Sequence, residues 1–160
     1  ENSSGIPDSC SVDIILGSCK KSLLQKYIQY IESKQIDHRF KLHVFPENYH
    51  EIIANADLAI TSGGLSIFEF SAYGVPTIGL PQYEHQLRTI ENLRDAGISF
   101  LGSDGMAMSS KNFKGSLNKM IHDFNCRNIM AMSARKSIDG GGVHRIIKLL
   151  TEKFPDIFYA

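Results

Sequence analysis

The residues best suited to bind a ligand lie in a glycine-rich turn, Ser62-Gly63-Gly64-Leu65-Ser66. The apolar run from Leu58 to Thr61 precedes the turn and is typical of a strand buried in a parallel sheet. Helical spacing follows from Leu65 to Tyr73. A turn without bulky side chains before a helix leaves backbone N–H groups and the positive helix end available to an anion. The pattern therefore predicts a site for a phosphorylated ligand at the carboxyl edge of the sheet.

Two interpretations fit the residues that open this helix. Ser66 and Glu69 have the spacing of a capping box, in which both side chains satisfy the first backbone N–H groups of a helix. Alternatively, the Glu69 carboxylate accepts hydrogen bonds from a pair of ligand hydroxyls, such as those of a ribose. The local pattern leaves both interpretations open.

Three further segments are expected at the same edge, because each follows a predicted strand. They are Gly17-Ser18-Cys19-Lys20, Pro46-Glu47-Asn48 and His85-Gln86. The turn from Gly17 to Lys20 matches neither a phosphate-binding loop nor a dinucleotide loop. The His85-Gln86 pair has the chemistry to donate hydrogen bonds to a phosphate or a sugar hydroxyl, although its spacing alone favours a solvated helix start.

Strands and helices alternate along the chain, which predicts an α/β fold with a doubly wound, Rossmann-like parallel sheet. Residues 1–11 are predicted to form a flexible segment, and residues 12–160 a single domain. In the helix after the glycine turn, Leu65, Phe68 and Ala72 are predicted on one face. The predicted strands are 12–16, 40–45, 58–61, 77–80 and 98–101, and the predicted helices are 20–34, 47–55, 65–73, 82–96, 111–124, 127–137 and 143–153.

Composition narrows the function classes. The 160 residues carry 17 Lys and Arg against 17 Asp and Glu, and zero net charge argues against a nucleic-acid partner. No apolar run reaches the roughly 20 residues that span a bilayer, and the first residues do not resemble a secretory signal. Cys10, Cys19 and Cys126 have no paired spacing, so we interpret them as reduced thiols of a cytoplasmic protein.

No metal site or catalytic group is indicated by spacing. The histidines lack the spacing of metal ligands, so no metal is expected. No Ser/His/Asp or Cys/His arrangement and no pair of carboxylates stands out, and the catalytic residues are left unassigned. The segment Asp139-Gly140-Gly141-Gly142 precedes a helix with Arg145, and a helix-capping turn is favoured there over a second anion site. The histidines are His38, His43, His50, His85, His122 and His144.

From Asp57 to Gly97 the chain resembles the nucleotide-sugar-binding half of GT-B glycosyltransferases. It is similar to the group that includes the peptidoglycan enzyme MurG and the UDP-sugar hydrolase PseG. The residues that carry the resemblance are Ala56-Asp57-Leu58-Ala59-Ile60, Ser62-Gly63-Gly64-Leu65-Ser66-Ile67-Phe68-Glu69, Gly74-Val75-Pro76-Thr77, Leu80-Pro81, His85-Gln86 and Leu93 through Gly97. Asp139-Gly140, Gly142, Arg145 and Ile146 resemble a carboxyl-terminal feature of the PseG group.

The resemblance implies a role for each candidate residue. The donor's diphosphate is expected on Gly63, Gly64, Leu65 and Ser66, beside Ser62, with Glu69 on the ribose. The base is expected against Phe45-Pro46, and Gly17 and Ser18 near the phosphates. The same resemblance places Gln86, after His85, on the sugar or phosphate.

The resemblance also implies that this chain supplies only the carboxyl half of a two-domain enzyme. The expected function is the donor half of an enzyme that transfers or hydrolyses a UDP-like sugar nucleotide, which is its substrate, with no cofactor. The amino half would be its partner, either in the same chain or as a separate subunit. Any peripheral membrane association would occur only through that amino half. The alternatives are a stand-alone binding subunit and a fragment of a UDP-sugar 2-epimerase. Transfer and hydrolysis are not distinguished, and the isolated chain is expected to be inactive.

Overall fold

Short parallel strands alternate with helices along the chain in a computed structural model that describes residues 6–7, 9–17, 21–33, 39–107 and 110–155. The prediction of an α/β, Rossmann-like fold is confirmed. Within the described residues the strands are β1 (Val12–Leu16), β2 (Phe40–Val44), β3 (Ala59–Thr61), β4 (Thr77–Gly79) and β5 (Ser99–Leu101). The helices are α1 (Lys21–Ser33), α2 (Tyr49–Ala54), α3 (Leu65–Tyr73), α4 (Glu84–Asp95), α5 (Ser110–His122), α6 (Phe124–Ser137) and α7 (Gly142–Lys153).

Each predicted helix and strand is present, and the differences are confined to the ends. The predicted strand over 40–45 stops at Val44, and the predicted helix over 82–96 begins at Glu84. Such end differences are expected, because strand ends depend on pairing partners and helix ends on capping, which periodicity does not report.

The chain divides into two compact units, Glu1–Asn55 and Ala56–Ala160. The first contains β1, α1, β2 and α2, and the second contains the remaining elements. Each unit has its own parallel sheet. The predictions of a flexible segment over 1–11 and one domain over 12–160 stay predictions.

In the first unit, β1 and β2 pair in parallel from Val12 opposite Phe40 to Leu16 opposite Val44. The pairing is extended by the Phe45 N–H, which donates to the Leu16 carbonyl at 3.1 Å. On one face of this sheet, the His43 ring lies 2.7 Å from the Asp13 carboxylate. The Phe45–Leu16 bond joins the carboxyl ends of both strands, where Gly17 and Phe45 follow.

In the second unit, β4 lies between β3 and β5 in a parallel sheet. Leu80 and Gly102 extend the ladder, donating backbone N–H to Thr61 at 2.8 Å and to Gly79 at 2.9 Å. A Cβ added to Gly79 would lie 2.7 Å from two carbons of Ile90. The glycine at this position therefore lets α4 pack directly on the sheet.

The hydrophobic core of the second unit joins three helices to the sheet. Ile67 of α3, Ile90 and Leu93 of α4, and Ala134 of α6 pack with Ile98. Full burial of each large aliphatic side chain contributes roughly 1.5–3 kcal/mol. The core thus fixes the relative positions of α3 and α4, whose first residues are the candidate site.

The three apolar residues predicted on one face of α3 do not form its buried face. Leu65 is 81% exposed, and Phe68 and Ala72 are also exposed, whereas Ile67 and Ser71 are buried. The buried Ser71 hydroxyl donates to the Ile67 carbonyl at 2.7 Å, which satisfies it. Apolar residues occur all round α3, so spacing alone does not select the buried face.

The carboxyl end of α3 is closed by a glycine and an arginine. Gly74 has φ of 71°, a left-handed conformation that terminates the helix, and its N–H donates to Ser71 at 2.9 Å. Arg135 of α6 donates from Nη2 to the Tyr73 carbonyl at 3.1 Å. Both contacts satisfy orphan carbonyls, and the Arg135 contact also attaches α3 to α6.

Helix α7 presents its apolar residues to solvent. Val143, Ile146, Ile147 and Leu150 fall on one side of the helix, and all are exposed. Across the described ranges, no helix is long and apolar enough to cross a membrane.

One buried hydroxyl yields a stability prediction. Thr77 in β4 is fully buried, and its Oγ1 has no hydrogen-bond partner among the residues that the structure describes. Thr77→Val keeps the shape and removes the unsatisfied oxygen, so we expect the free energy of unfolding to rise by about 1 kcal/mol in urea titrations.

Thr151→Val is the matched control, because its exposed hydroxyl donates to the Lys148 carbonyl at 2.9 Å. That change should leave stability within about 0.5 kcal/mol. A Thr77→Val protein that is less stable than wild type would contradict the assignment of an unsatisfied hydroxyl.

Candidate functional site

The glycine turn connects the end of β3 to the start of α3. Gly64 is the N-cap, with φ of −86° and ψ of −159°, and it supplies no side-chain cap. The first amides of a helix have no carbonyl partner within it. At α3 these amides, beginning at Leu65 and Ser66, lie at the carboxyl edge of β3, where they can donate to an anion.

The capping-box interpretation of Ser66 and Glu69 is wrong. A capping box needs the serine at the N-cap, and that position is held by Gly64 while Ser66 is the second helical residue. Glu69 lies one turn into α3 and is exposed. Its role toward a ribose stays a prediction.

The glycine turn is in close contact with the start of α4. A Cβ added to Gly63 would lie 2.5 Å from the Gln86 carbonyl oxygen and 2.9 Å from its Cβ. Since real Cβ atoms do not approach backbone this closely, only glycine fits at this position. The structure therefore brings together Gly63 and Gln86, which are far apart in the sequence.

The Gln86 side chain extends the same contact. Its Oε1 accepts the backbone N–H of Gln82 at 2.9 Å. Because only the amide oxygen can accept this hydrogen bond, the orientation of the amide is fixed and Nε2 is its other end. A Cβ added to Gly64 would lie 3.9 Å from that Nε2 and 3.6 Å from Ser62 Oγ. The Gln86 amide nitrogen is thus a donor beside the glycine turn.

Tyr83, which sequence reasoning missed, is the N-cap of α4. Its ring stacks on His85, with centroids 5.7 Å apart and planes inclined by 6°. Both side chains are exposed. The signal that could have found Tyr83 is an aromatic residue two positions before His85, just after the Leu80-Pro81 break.

The remaining candidates belong to the first unit. Gly17 follows β1, and Pro46 follows Phe45 at the end of β2. Phe45 has φ of 48° and is the one non-glycine residue with positive φ among those described. A left-handed aromatic residue is strained by roughly 1–2 kcal/mol. The residue is 62% exposed. Ser18 lies outside the described residues.

Asp139 forms a turn before α7, but the N-cap of that helix, Gly141, has no side-chain cap. One oxygen accepts the Gly141 N–H at 2.9 Å, and the carboxylate binds Arg145 through both oxygens, at 2.7 and 3.0 Å. These hydrogen bonds, from Arg145 first and Gly141 second, lower the pKa of Asp139 to about 2. The carboxylate therefore occupies the turn in which a second anion would have to bind.

A cavity of about 610 Å³ beside β5 is separate from the candidate residues. It is lined by Phe100, Cys126 and Met130 among others, and none of the predicted site residues lines it. In the described part of the chain, no cluster of three His, Cys, Asp or Glu residues could hold a metal ion.

Residues 9–122, more than half of the chain, match the glycosyltransferase family 28 C-terminal domain. The chain belongs to this family. The resemblance to the carboxyl half of GT-B enzymes is thereby confirmed, and the candidate turn and the start of α4 both lie inside the matched range.

Two further similarities agree with this assignment. The chain is 26% identical over 103 residues to the spore coat polysaccharide biosynthesis protein SpsG of Bacillus subtilis (strain 168), covering 64% of this chain and 30% of SpsG. Its fold is similar, with a TM-score of 0.60 and 15% identity, to a crystal structure of a "putative UDP-N-acetylglucosamine 2-epimerase" from Listeria monocytogenes. That similarity covers 93% of this chain and 46% of the Listeria chain. The chain thus spans less than half of either protein.

The close contact at Gly63 predicts that alanine substitutions at Gly63 and at Gly64 have very different effects on stability. Gly63→Ala must displace the start of α4, and we expect it to lower the free energy of unfolding by about 1–3 kcal/mol. Gly64→Ala meets only ordinary contacts, beginning at 3.6 Å, so it should cost much less. Thermal unfolding of both variants checks the difference, and equal losses would contradict the contact.

The Asp139–Arg145 pair predicts a shifted titration. NMR titration of the Asp139 carboxyl should give a pKa near 2. In Arg145→Ala the pKa of Asp139 should rise most of the way to about 3.9. Because the pKa is lower in the folded than in the unfolded chain, the pair stabilises the fold above pH 4 or so. That contribution is lost as the pH falls toward about 2. An unchanged pKa in Arg145→Ala would contradict the pairing.

Proposed function

We propose that this chain is the donor-binding half of a GT-B enzyme that acts on a UDP-like sugar nucleotide. The observation that carries the proposal is the contact between Gly63 and Gln86, which places the uncapped start of α3 beside a side-chain amide from α4. Membership in the family 28 C-terminal domain family supports a glycosyltransferase-like role for this pair of loops.

The diphosphate is proposed to bind at the start of α3. Its oxygens accept the backbone N–H groups at Gly63, Gly64, Leu65 and Ser66, and the positive helix end adds favourable electrostatics. Glycine at the turn allows a phosphate to approach the backbone, and Ser62 lies beside it. Gln86 Nε2 donates to the phosphate or the sugar from the other side, with His85 next to it.

The ribose of the nucleoside is proposed to bind through one carboxylate. Glu69, one turn into α3, accepts hydrogen bonds from the two ribose hydroxyls. The roles that the resemblance implies for Phe45 and Pro46 toward the base, and for Gly17 and Ser18 toward the phosphates, stay predictions. The strained backbone of Phe45 supports a functional reason for its conformation, because such strain concentrates at binding sites.

The chemistry proposed for this half is stabilisation of a leaving group. When the anomeric C–O bond breaks, the electron pair goes to the β-phosphate oxygen of the nucleotide. The amides of α3 and the Gln86 amide donate to that developing charge. An acceptor hydroxyl or water attacks the anomeric carbon, and its proton goes to a base on the amino half, in cis or on a partner subunit.

A biosynthetic pathway and a cellular location for the protein are also proposed. The chain is similar to SpsG, which is named a spore coat polysaccharide biosynthesis protein. This supports a role in the synthesis of a surface glycan or a sialic-acid-like sugar. Cys10 and Cys126 are free thiols, which supports a cytoplasmic location, while Cys19 lies outside the described residues. The alternatives are a stand-alone binding subunit and a UDP-sugar 2-epimerase fragment. The Listeria similarity concerns the fold alone and does not favour the latter.

Calorimetric titration with UDP, CDP and GDP tests the proposal. We expect saturable binding of UDP, and Glu69→Ala should weaken it at least tenfold or so, because a charged hydrogen bond contributes about 1.5–3 kcal/mol. Glu152→Ala is the matched control, since this glutamate is also exposed but lies on α7. Affinity for UDP that is unchanged in Glu69→Ala, or absent in wild type, would contradict the proposal.

A further inference from the structure

The cavity beside β5 lies along the open edge of the sheet in the second unit. Its volume of about 610 Å³ is within the range of small-molecule sites, roughly 300–1,000 Å³. Ser99, Phe100 and Leu101 all line it. Because successive side chains of a strand point to opposite faces, a cavity that touches all three runs along the edge of β5. Among the described strands, β5 pairs only with β4, which leaves that edge open.

One part of the cavity lining is apolar. Phe100 and Leu101 contribute to it from β5, and Ile129 and Met130 contribute from α6. Ile129 is largely exposed, although other apolar residues line the same cavity. A ligand that covered these side chains would remove apolar surface from water, which favours a ligand with an apolar body.

The polar groups of the cavity lining are mostly hydrogen-bond acceptors. Glu91 and Asp104 line it, and within the described residues neither carboxylate has an ion pair or a hydrogen bond. Ser99 and Ser103 line it as well and are buried. Their hydroxyls already donate to backbone carbonyls, at 3.3 and 2.8 Å respectively. These hydroxyls therefore have only lone pairs left for a ligand.

The cations near the cavity already have partners. Arg94 is the guanidinium among the described lining residues, and its Nε donates to the Asp95 carboxylate at 2.9 Å. Lys119 Nζ lies 5.1 Å from the centroid of the Phe100 ring, but Lys119 does not line the cavity. Two unpaired carboxylates thus share the cavity with one paired guanidinium, so a cationic hydrogen-bond donor is the complementary ligand.

We propose that this cavity binds a small organic ammonium ion with an apolar body. The ammonium group donates hydrogen bonds to Glu91 and Asp104, and the apolar body covers Phe100, Ile129 and Met130. None of the residues assigned to the sugar nucleotide lines the cavity, so the inference goes beyond the proposed function and does not depend on it.

Calorimetric titration with phenylbutylamine tests the proposal, with phenylbutanol and phenylbutyrate as uncharged and anionic probes of similar shape. We expect the amine to bind most tightly and the carboxylate least. In the double variant Glu91→Gln/Asp104→Asn, the Kd for the amine should rise about 3- to 10-fold, whereas that for the alcohol should change less than about twofold. Glu152→Gln is the matched control, because it neutralises an exposed glutamate on α7, and it should change neither Kd.

Two-dimensional ¹H–¹⁵N NMR locates the bound amine. The largest shifts should occur at the backbone amides of Glu91, Phe100, Asp104 and Met130. Ile129→Ser removes an apolar contact that the amine and the alcohol share, so it should weaken both by a similar factor.

Cys126 reports the charge of the cavity independently, because it is a free thiol in the lining. Its thiolate attacks a methanethiosulfonate, forms a disulfide with the alkylthio group and releases methanesulfinate. The ratio of the rate with the cationic aminoethyl reagent to that with the anionic sulfonatoethyl reagent should fall about threefold in the double variant. Cys10, a free thiol of the first unit, is the internal reference in peptide mass spectrometry, and its ratio should not change.

Three results would overturn the inference. Tighter binding of phenylbutyrate than of phenylbutylamine would assign the cavity to an anion held by Arg94. An affinity for the amine that is unchanged in the double variant would remove the role of the carboxylates. No binding of the amine at millimolar concentration would show that the cavity does not take this class of ligand.

Discussion

The candidate site depends on the absence of a side chain at position 63, which is a glycine. The backbone of the turn and the backbone of α4 are so close that a single methyl group would lie 2.5 Å from the Gln86 carbonyl. This approach sets the distance between two loops that begin two different helices. Since Ile67 and Ile90 anchor those helices in one core, a displacement at the turn would propagate into the packing of the second unit.

The two ends of α3 differ in how their backbone groups are satisfied, and this difference bears on function. At its carboxyl end, Gly74 closes the helix with its own N–H and Arg135 donates to the Tyr73 carbonyl. At its amino end, Gly64 supplies no side chain to the orphan amides. A helix stabilised by its core and its carboxyl cap can retain donors at the other end for a ligand. The start of α7 contrasts with this, because the Asp139 carboxylate already accepts the Gly141 N–H there.

Much of the fold could be predicted because alternation of short apolar runs with helical spacing is a strong local signal. The extent of α3 from Leu65 to Tyr73 followed from the glycines at both of its ends. Its buried face did not follow, because Ile67, Phe68 and Phe70 surround the helix and only tertiary packing selects Ile67 for the core. The capping box failed for a related reason, since Gly64 begins the helix two residues before Ser66.

The site was predictable in its residue types but not in its contacts. The resemblance predicted Gln86 as a hydrogen-bond donor. The orientation of its amide, however, is fixed by a hydrogen bond from the Gln82 N–H, which sequence spacing does not report. Tyr83 was not predicted, because its stacking on His85 is a side-chain contact that the sequence does not report.

The most direct test of a diphosphate site at the start of α3 is a two-dimensional ¹H–¹⁵N NMR titration with UDP. We expect the largest shifts at the backbone amides of Gly63, Gly64, Leu65 and Ser66 and at the side-chain amide of Gln86. Shifts confined to the cavity beside β5, around Phe100 and Met130, would contradict it.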